Sequence, residues 1–411
     1  MNYLPKVKSS IIDPRDLPIR LAFVDKDYSR YTLFPVLFKF SKVFLGLENK
    51  ISLHLKINSK SDKYPVPKIA NMTVNLICCG VDRFVRLDDE FSVELGLARY
   101  LGFNEGFPTS DTIYRFLRKF TGYNLVQLQK INLLLLKEHK SLWLNKDKTI
   151  FVDIDMNIKS IEGKRVEKAK VGYNHKRPGR KSLKWTIVHV AKAALYSDLH
   201  SGTTSEVKLL KRQLSKIEKL LLKLGINFRE GTVLRVDGGY VTYDNLKVLK
   251  DYRFISRLRV DLTVVKPLLD KVNSKEVAWK SYSKQSYYCD FGEVAFPKSD
   301  NLKFKVIFVK VIRKNSALYY PLCTNLNWDV KSIVKAYRGR QIVENMFRDT
   351  NQAFYSDKLP SMKYYANKAY LWFVVLAYNQ FFFFQKYISL KNIKGIRLKN
   401  FRINSSKSLV S

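Results

Sequence analysis

The stretch KTIFVDIDMNIKSI, Lys148 to Ile161, sets the fold class. Its β-branched and aromatic residues read as a strand. Side chains alternate along a strand, so Asp153 and Asp155, two residues apart, share one side of it. Two more strand-like runs follow, AKVGYN from Ala169 and LKWTIVHVAKAAL from Leu183. A capped amphipathic helix comes next, TTSEVKLLKRQLSKIEKLLLKLG. It places Val207, Leu210, Leu214, Ile217, Leu221 and Leu224 on one side and stops at Gly225. The run GTVLRVDGGY returns to strand and ends near Asp237. In α/β units ligand chemistry sits at the C-terminal ends of strands. Taken alone, however, Asp-Gly-Gly is a turn signature whose carboxylate bonds only its own backbone.

The connection between the first strands is strongly cationic. Ten Lys or Arg stand between Met156 and Trp185 against two acids, Glu162 and Glu167. The loop GYNHKRPGRKSLKW supplies Lys176, Arg177, Arg180 and Lys181, with aromatic residues between them. Such charge beside a carboxylate pair suits a phosphate backbone.

Further along, NWDVKSIVKAYRGRQIVENMFRDTNQAF, Asn327 to Phe354, has no Pro, one Gly and Asp329 as an N-cap, and predicts one long helix. At about 100° per residue, Tyr337, Arg340, Glu344 and Asn351 fall within an arc of roughly 60°. A narrow polar stripe of that kind faces one shared target. The bland alternative is an i,i+4 ion pair between Arg340 and Glu344 on a solvated face, worth a few tenths of a kcal/mol.

Composition bounds what such a chain can serve. With 411 residues it has enough surface to bury for two or three domains, and its 46% hydrophobic and 13% aromatic content is that of a folded protein. A net charge of +38 costs self-repulsion unless an anionic partner offsets it, which points first to nucleic acid and second to a membrane surface. The most apolar run, Ala369 to Phe384, is broken by Asn379 and Gln380 and is too short to span a bilayer, so it predicts a buried core helix. MNYLPKVKSS lacks the apolar core of a signal peptide. Cys78, Cys79, Cys289 and Cys323 show neither zinc-ligand spacing nor a disulfide framework, which fits a reducing cytoplasm.

The first 60 residues mix periodicities and specify little beyond packing, and Asn58 to Pro67 predicts a linker. From Lys68 to about Asn145 the pattern is helical. One helix ends near Leu101, Gly102 and Gly106 carry the connection, and Pro108 and Ser110 start another. On that second helix Arg115, Arg118 and Lys119 sit at i, i+3, i+4, either as a face for DNA or as a solvated face over Ile113, Phe116, Leu117 and Phe120. Residues 256–325 are β-rich, and Trp279 there could stack on an unpaired base or pack in a small sheet.

Asp155, Asp237 and Glu344 thus lie on strand, strand and helix, the distribution a two-metal phosphoryl-transfer site requires. Here the chain resembles the DDE transposases of bacterial insertion sequences, in the branch marked by Y-x2-R-x3-E-x6-K. Tyr337, Arg340 and Glu344 match at the right spacing, while Asn351 stands where the signature has Lys. VDIDMN, GYNHKRPGRKS, DLHSGTTS, VDGGY and ENMFRDTNQAFYSDKLPSMKYYANKAY read as successive blocks of one such family. The resemblance spans roughly residues 70 to 400. The chain ends soon after GIRLKNFRINSS, where related sequences continue with a basic segment, which makes truncation an expectation.

The resemblance implies an α/β fold with an RNase H-like mixed five-stranded sheet flanked by helices. It implies an N-terminal mainly helical DNA-binding domain (1–145), a core in two parts (146–255 and 326–390), a β-rich insertion (256–325) and a basic tail (391–411). Asp155, Asp237 and Glu344 would hold two Mg²⁺ ions, with Mn²⁺ as a substitute. Asp153 is the alternative to Asp155, which the family pattern around the first aspartate favours. Tyr337, Arg340, Arg348 and the loop cations would contact DNA phosphates. The implied partners are double-stranded DNA with terminal inverted repeats and target DNA, bound by a dimer in the cytoplasm at the nucleoid, with no membrane. Two rival readings are a decayed transposase that only binds DNA and another RNase H-like nuclease.

Overall fold

The computed structural model describes residues 33–387, apart from 59–62, 82, 93, 146, 176, 275 and 314–315. Lys176 and the basic tail expected at 391–411 lie outside the described residues. The chain divides into two compact units. One comprises Met1–Leu135, Arg165–Glu167 and Arg348–Ser411; the other comprises Leu136–Lys164 and Lys168–Phe347.

The first unit is helical in its described parts. Its helices include Leu47–His54, Val66–Cys79, Leu95–Tyr100, Ser110–Arg118 and Tyr364–Tyr387. The two glycines expected to carry the connection before Ser110 both adopt left-handed backbone, Gly102 at φ 85° and Gly106 at φ 86°. Helix Tyr364–Tyr387 is buried almost all round, as the apolar run from Ala369 predicts. Its two interrupting amides make buried hydrogen bonds: Asn379 Nδ2 donates to Asn132 Oδ1 (2.8 Å) and Gln380 Nε2 to Asn75 Oδ1 (2.7 Å). Asn75 in turn donates to Asn71 Oδ1 (3.1 Å) and to Ser41 Oγ (3.0 Å). Each such bond contributes about 1 kcal/mol, but an amide left unpaired there would cost more, so this polar thread specifies one packing of the helices. Among the described residues no helix is long and apolar enough to cross a membrane.

The second unit is built on one mixed sheet. Its strands are β1 (Ile150–Ser160), β2 (Lys170–Val171), β3 (Lys181–Val190), β4 (Ala193–Ser201), β5 (Thr232–Val236), β6 (Phe254–Arg257), β7 (Lys280–Ser283), β8 (Ser286–Phe296), β9 (Leu302–Arg313) and β10 (Ser316–Thr324). Their order is β2-β3-β1-β5-β6-β10-β9-β8-β7, with β4 also paired to β3. β1 pairs parallel with β5 and β5 parallel with β6, whereas β3 is antiparallel to β1 and to β4. The five strands expected from sequence are therefore half of a ten-stranded sheet. Of the other five, β2 lies at one edge and four come from the β-rich stretch, whose last strand returns antiparallel onto β6 and continues the sheet. Helix Glu206–Lys223 and its C-cap bury Leu210, Leu214, Ile217, Leu221 and Leu224, five of the six positions predicted for its apolar side, together with Leu209, Gln213 and Leu220.

One close approach of backbones ties the cationic loop to the sheet. A Cβ at Gly172 would run into the carbonyl oxygen of Gly202, and one at Gly202 into the carbonyl oxygens of Lys170 and Ser182. Backbone cannot move aside as a side chain can, so Gly202→Ala is expected to cost about 3 kcal/mol. Urea unfolding followed by tryptophan fluorescence measures this, and a midpoint equal to that of the wild type would contradict it.

The stretch Asn327–Phe354 is not one helix. It forms Val330–Arg338, capped by Asp329 Oδ1 accepting from the Ser332 amide (2.9 Å), and then Gln341–Ala353. The break has a physical cause at Gly339. A Cβ there would meet Arg235 Nη1 at 2.8 Å and Ala336 O at 3.2 Å, because the Arg235 guanidinium caps the Ala336 carbonyl at the helix end. The polar stripe drawn on a continuous helix does not survive this break.

Candidate active site

Register brings the first two carboxylates together. β1 and β5 are parallel with Asp153 beside Arg235, so two residues on in each strand Asp155 comes level with Asp237, just past the end of β5. Glu344 lies in the first turn of helix Gln341–Ala353, exposed to solvent.

Asp153 and Asp155 have different partners. Asp153 is buried and accepts two hydrogen bonds from Arg235, Nε to Oδ1 and Nη2 to Oδ2, both 2.7 Å. The same guanidinium lies 4.1 Å from the Phe151 ring centroid. A bidentate, buried pair of this kind leaves Asp153 committed to the fold. Asp155 accepts only a backbone bond from the Met156 amide (2.8 Å) and faces Arg340 Nη2 across 3.1 Å, with its side chain 19% exposed.

Asp155 is the electrostatic centre of the site. Burial pushes its carboxyl above the ordinary range, Arg340 and the Met156 amide pull it down, and the like charges of Asp237 and Glu344 push it up again. Asp237 and Glu344 thus both act on Asp155, and Arg340 opposes them more strongly than either acts alone, so burial is what leaves the carboxyl raised. Arg340 is itself 6% exposed, sits in the break between the two helices, and donates from Nη2 to Ile154 O (3.3 Å). Burial works against its charge, yet Asp155, Tyr337, Asp237 and Asp153 together hold its pKa above the usual guanidinium range. Tyr337 is half-buried against Tyr320, and burial raises its phenol, with Arg340 opposing and Asp237 reinforcing. The expected Arg340–Glu344 pair is thus replaced by an Arg340–Asp155 pair, because Gly339 ends the first helix and turns Arg340 inward.

Two groups at this site lack an obvious sequence signal. Glu206 opens helix Glu206–Lys223, and its carboxylate lies where a Cβ on Gly239 would fall. Tyr240 is 1% exposed, and its hydroxyl has no hydrogen-bond partner among the described residues. The hint lay in VDGGY, where a glycine stands two residues after Asp237 and an aromatic three after it.

The other predicted residues are placed as follows. Arg177 pairs with Glu162 (2.6 Å), Lys181 Nζ donates to Lys164 O (3.3 Å), and Arg180 is exposed. Trp279 is half-buried, 5.8 Å from the Tyr319 ring, with Lys310 Nζ 5.5 Å from its centroid. In the helical unit Arg115, Arg118 and Lys119 are all exposed, while Ile113, Phe116, Leu117 and Phe120 are buried beneath them. Arg115 pairs with Asp111 (2.8 Å) and, with Lys119, Lys63 and Tyr64, lines a cavity of about 410 Å³. Arg348 is half-buried in the same unit, and Asn351 Oδ1 accepts from Ser356 Oγ (2.7 Å).

Carboxylate oxygens are the donors a hard divalent cation takes, and Asp155, Asp237 and Glu344 fit such an ion by chemistry. Among the described residues no three of His, Cys, Asp and Glu stand close enough to hold one as they are placed.

A family model described as transposase DDE domain group 1 matches residues 35–406. The chain belongs to the DDE transposase family. No curated protein sequence matches it. Among solved structures it is similar to the cryo-EM structure of piggyBac transposase in a synaptic complex with hairpin DNA. That match has 14% identity and a TM-score of 0.47, and covers 94% of this chain and 81% of the other. Membership in the DDE family implies an enzyme that cuts and transfers DNA strands.

Proposed function

We propose that this DDE family member cleaves the ends of its own element and joins them to target DNA, with Asp155, Asp237 and Glu344 as the catalytic acids. The observation that carries this reading is the register that brings Asp155 on β1 level with Asp237 past the end of β5, with both Asp237 and Glu344 acting on the Asp155 carboxyl from within one unit. Strand order supports an RNase H-like core. β4-β3-β1-β5-β6, in which β3 alone runs against the other four, is the mixed five-stranded arrangement expected for it.

In this reading the three acids bind divalent cations, Mg²⁺ by preference and Mn²⁺ as a substitute. Bound cations supply nucleophile activation and stabilisation of the departing 3′ oxygen. Arg340, held by Ile154 O and Asp155, presents a fixed guanidinium to the scissile phosphate, and Tyr337 beside it orients the same group. Displacement is in line, a freed 3′-hydroxyl serves as the next nucleophile, and no side chain becomes covalently attached to DNA. Arg177, Arg180 and Lys181, with Arg348 and the Arg115, Arg118 and Lys119 face, supply the cations for the duplex. Terminal inverted repeats bound by a dimer would provide two such sites together.

The reading predicts how metal binding responds to pH. Ligand carboxylates must be ionised, and the Asp155 carboxyl titrates above the ordinary carboxylate range, so Mn²⁺ affinity should fall as pH drops through that raised value. The loss then begins at higher pH than for a surface carboxylate. Titration calorimetry between pH 8 and about 4.5 measures it. Affinity unchanged down to the ordinary Asp range would remove Asp155 from the ligand set.

Strand cleavage of the element's terminal repeat with Mg²⁺ tests the function directly. Binding of that repeat without metal-dependent nicking would favour the second reading, a DNA-binding protein without chemistry. Asn351 in place of the signature lysine, engaged by Ser356, is what favours that alternative.

A further inference from the structure

We propose that Glu206 is a fourth carboxylate ligand of this site, pressed against the backbone that follows Asp237. The inference rests on the reading above and extends it to a residue outside the three-acid set.

The start of the helix that carries Glu206 is fixed from below. Lys184 of β3, 5% exposed, donates from Nζ to Thr204 O (2.8 Å), two residues before Glu206. From there the carboxylate reaches Gly239, so closely that a Cβ on that glycine would collide with Glu206 Oε2. Gly239 is two residues past Asp237, and Asp237 is level with Asp155 across the parallel β1–β5 pair. The charges that act on Glu206 are those of Lys184, Asp155, Asp237 and Arg340, so it shares its surroundings with the two aspartates.

A carboxylate at a helix N-terminus can be there only for the helix dipole, which contributes about 0.3–1 kcal/mol at an exposed position. That account does not explain the crowding against Gly239 or the half-burial of Glu206 beside two other acids. It also leaves Tyr240 unexplained. The hydroxyl of this tyrosine is buried and unpartnered among the described residues, and the charges that act on it are those of Asp155, Glu206 and Asp237, with Arg340 opposing them. An unpartnered buried hydroxyl costs about 1–3 kcal/mol unless something completes it. A hydrated divalent cation among these acids would both offset their repulsion and give the hydroxyl a water to bond.

The test uses the full chain without DNA and reads Mn²⁺ binding by the loss of the free-ion electron paramagnetic resonance signal. Glu206→Gln keeps shape and removes charge; it is expected to weaken Mn²⁺ about tenfold. Asp155→Asn, in the same titration, is expected to weaken it at least as much. Affinity unchanged in Glu206→Gln but reduced in Asp155→Asn overturns the fourth ligand and leaves the three-acid site standing. Affinity unchanged in both overturns the site itself. Should Glu206→Gln fold poorly, Glu206→Asp, which keeps the charge on a shorter arm, is read in its place, and wild-type affinity with a wild-type melting temperature overturns the proposal.

Discussion

Asp155→Asn is expected to lower Mg²⁺-dependent cleavage of the terminal repeat by about 10³-fold or more while the protein still folds and binds DNA. The same loss is expected for Asp237→Asn and Glu344→Gln, and combining any two should add little, because the acids act as one group. Folding should survive at position 155 because Asp155 receives one backbone hydrogen bond and one cation, and Arg340 keeps Ile154 O when the carboxylate is neutralised. Gel analysis of end-labelled repeat DNA under single-turnover conditions measures the rate. Nicking at the wild-type rate by any one of the three variants would end the assignment for that residue.

Two residues upstream the expected result is the reverse. Asp153→Asn removes the charge that balances Arg235 in a setting where both side chains are about 5% exposed or less. A buried ion left alone costs roughly 3–5 kcal/mol, which for a unit of this size lowers the melting temperature by about 10 °C. Asp153→Asn should therefore fail on stability, and any activity it retains at low temperature should remain metal-dependent. Arg235→Met should fail in the same way. Scanning calorimetry of the two variants decides the matter. A melting temperature within a degree or two of wild type for Asp153→Asn would show that the pair contributes nothing, and would reopen which aspartate serves the chemistry.

Much of the core was legible because it is local. The period of two in VDIDMN places two aspartates on one side, and the apolar spacing from Val207 to Leu224 anticipates the buried side of the following helix. The buried helix around Ala369 followed from an apolar run too short for a bilayer, and its two amides proved to be its hydrogen-bonding positions. What sequence could not show are the long-range partners. Arg235 reads as one more cation in a strand, yet its reach to Asp153, Phe151 and Ala336 across three elements separates the two aspartates and ends a helix. A single glycine at position 339 is a weak breaker by composition, since helices tolerate one at a cost of about 1 kcal/mol. It became a break because a guanidinium from another strand takes the Ala336 carbonyl that a continuous helix would offer to the Arg340 amide, and that amide bonds Tyr337 O instead. Glu206 was invisible for the same reason: nothing in its helix marks it, and its neighbours come from β1 and the segment after β5.

The Arg235 contacts also bear on how this chain can change over time. One side chain touches a strand bearing the first of the three acids proposed for catalysis, originates in the strand leading to the second, and clasps the helix end just before the third. Drift at position 153 is thus coupled to drift at 235, where acceptable replacements should arrive as a matched pair, both neutral or both charged, while position 339 stays glycine for as long as 235 keeps its long guanidinium arm.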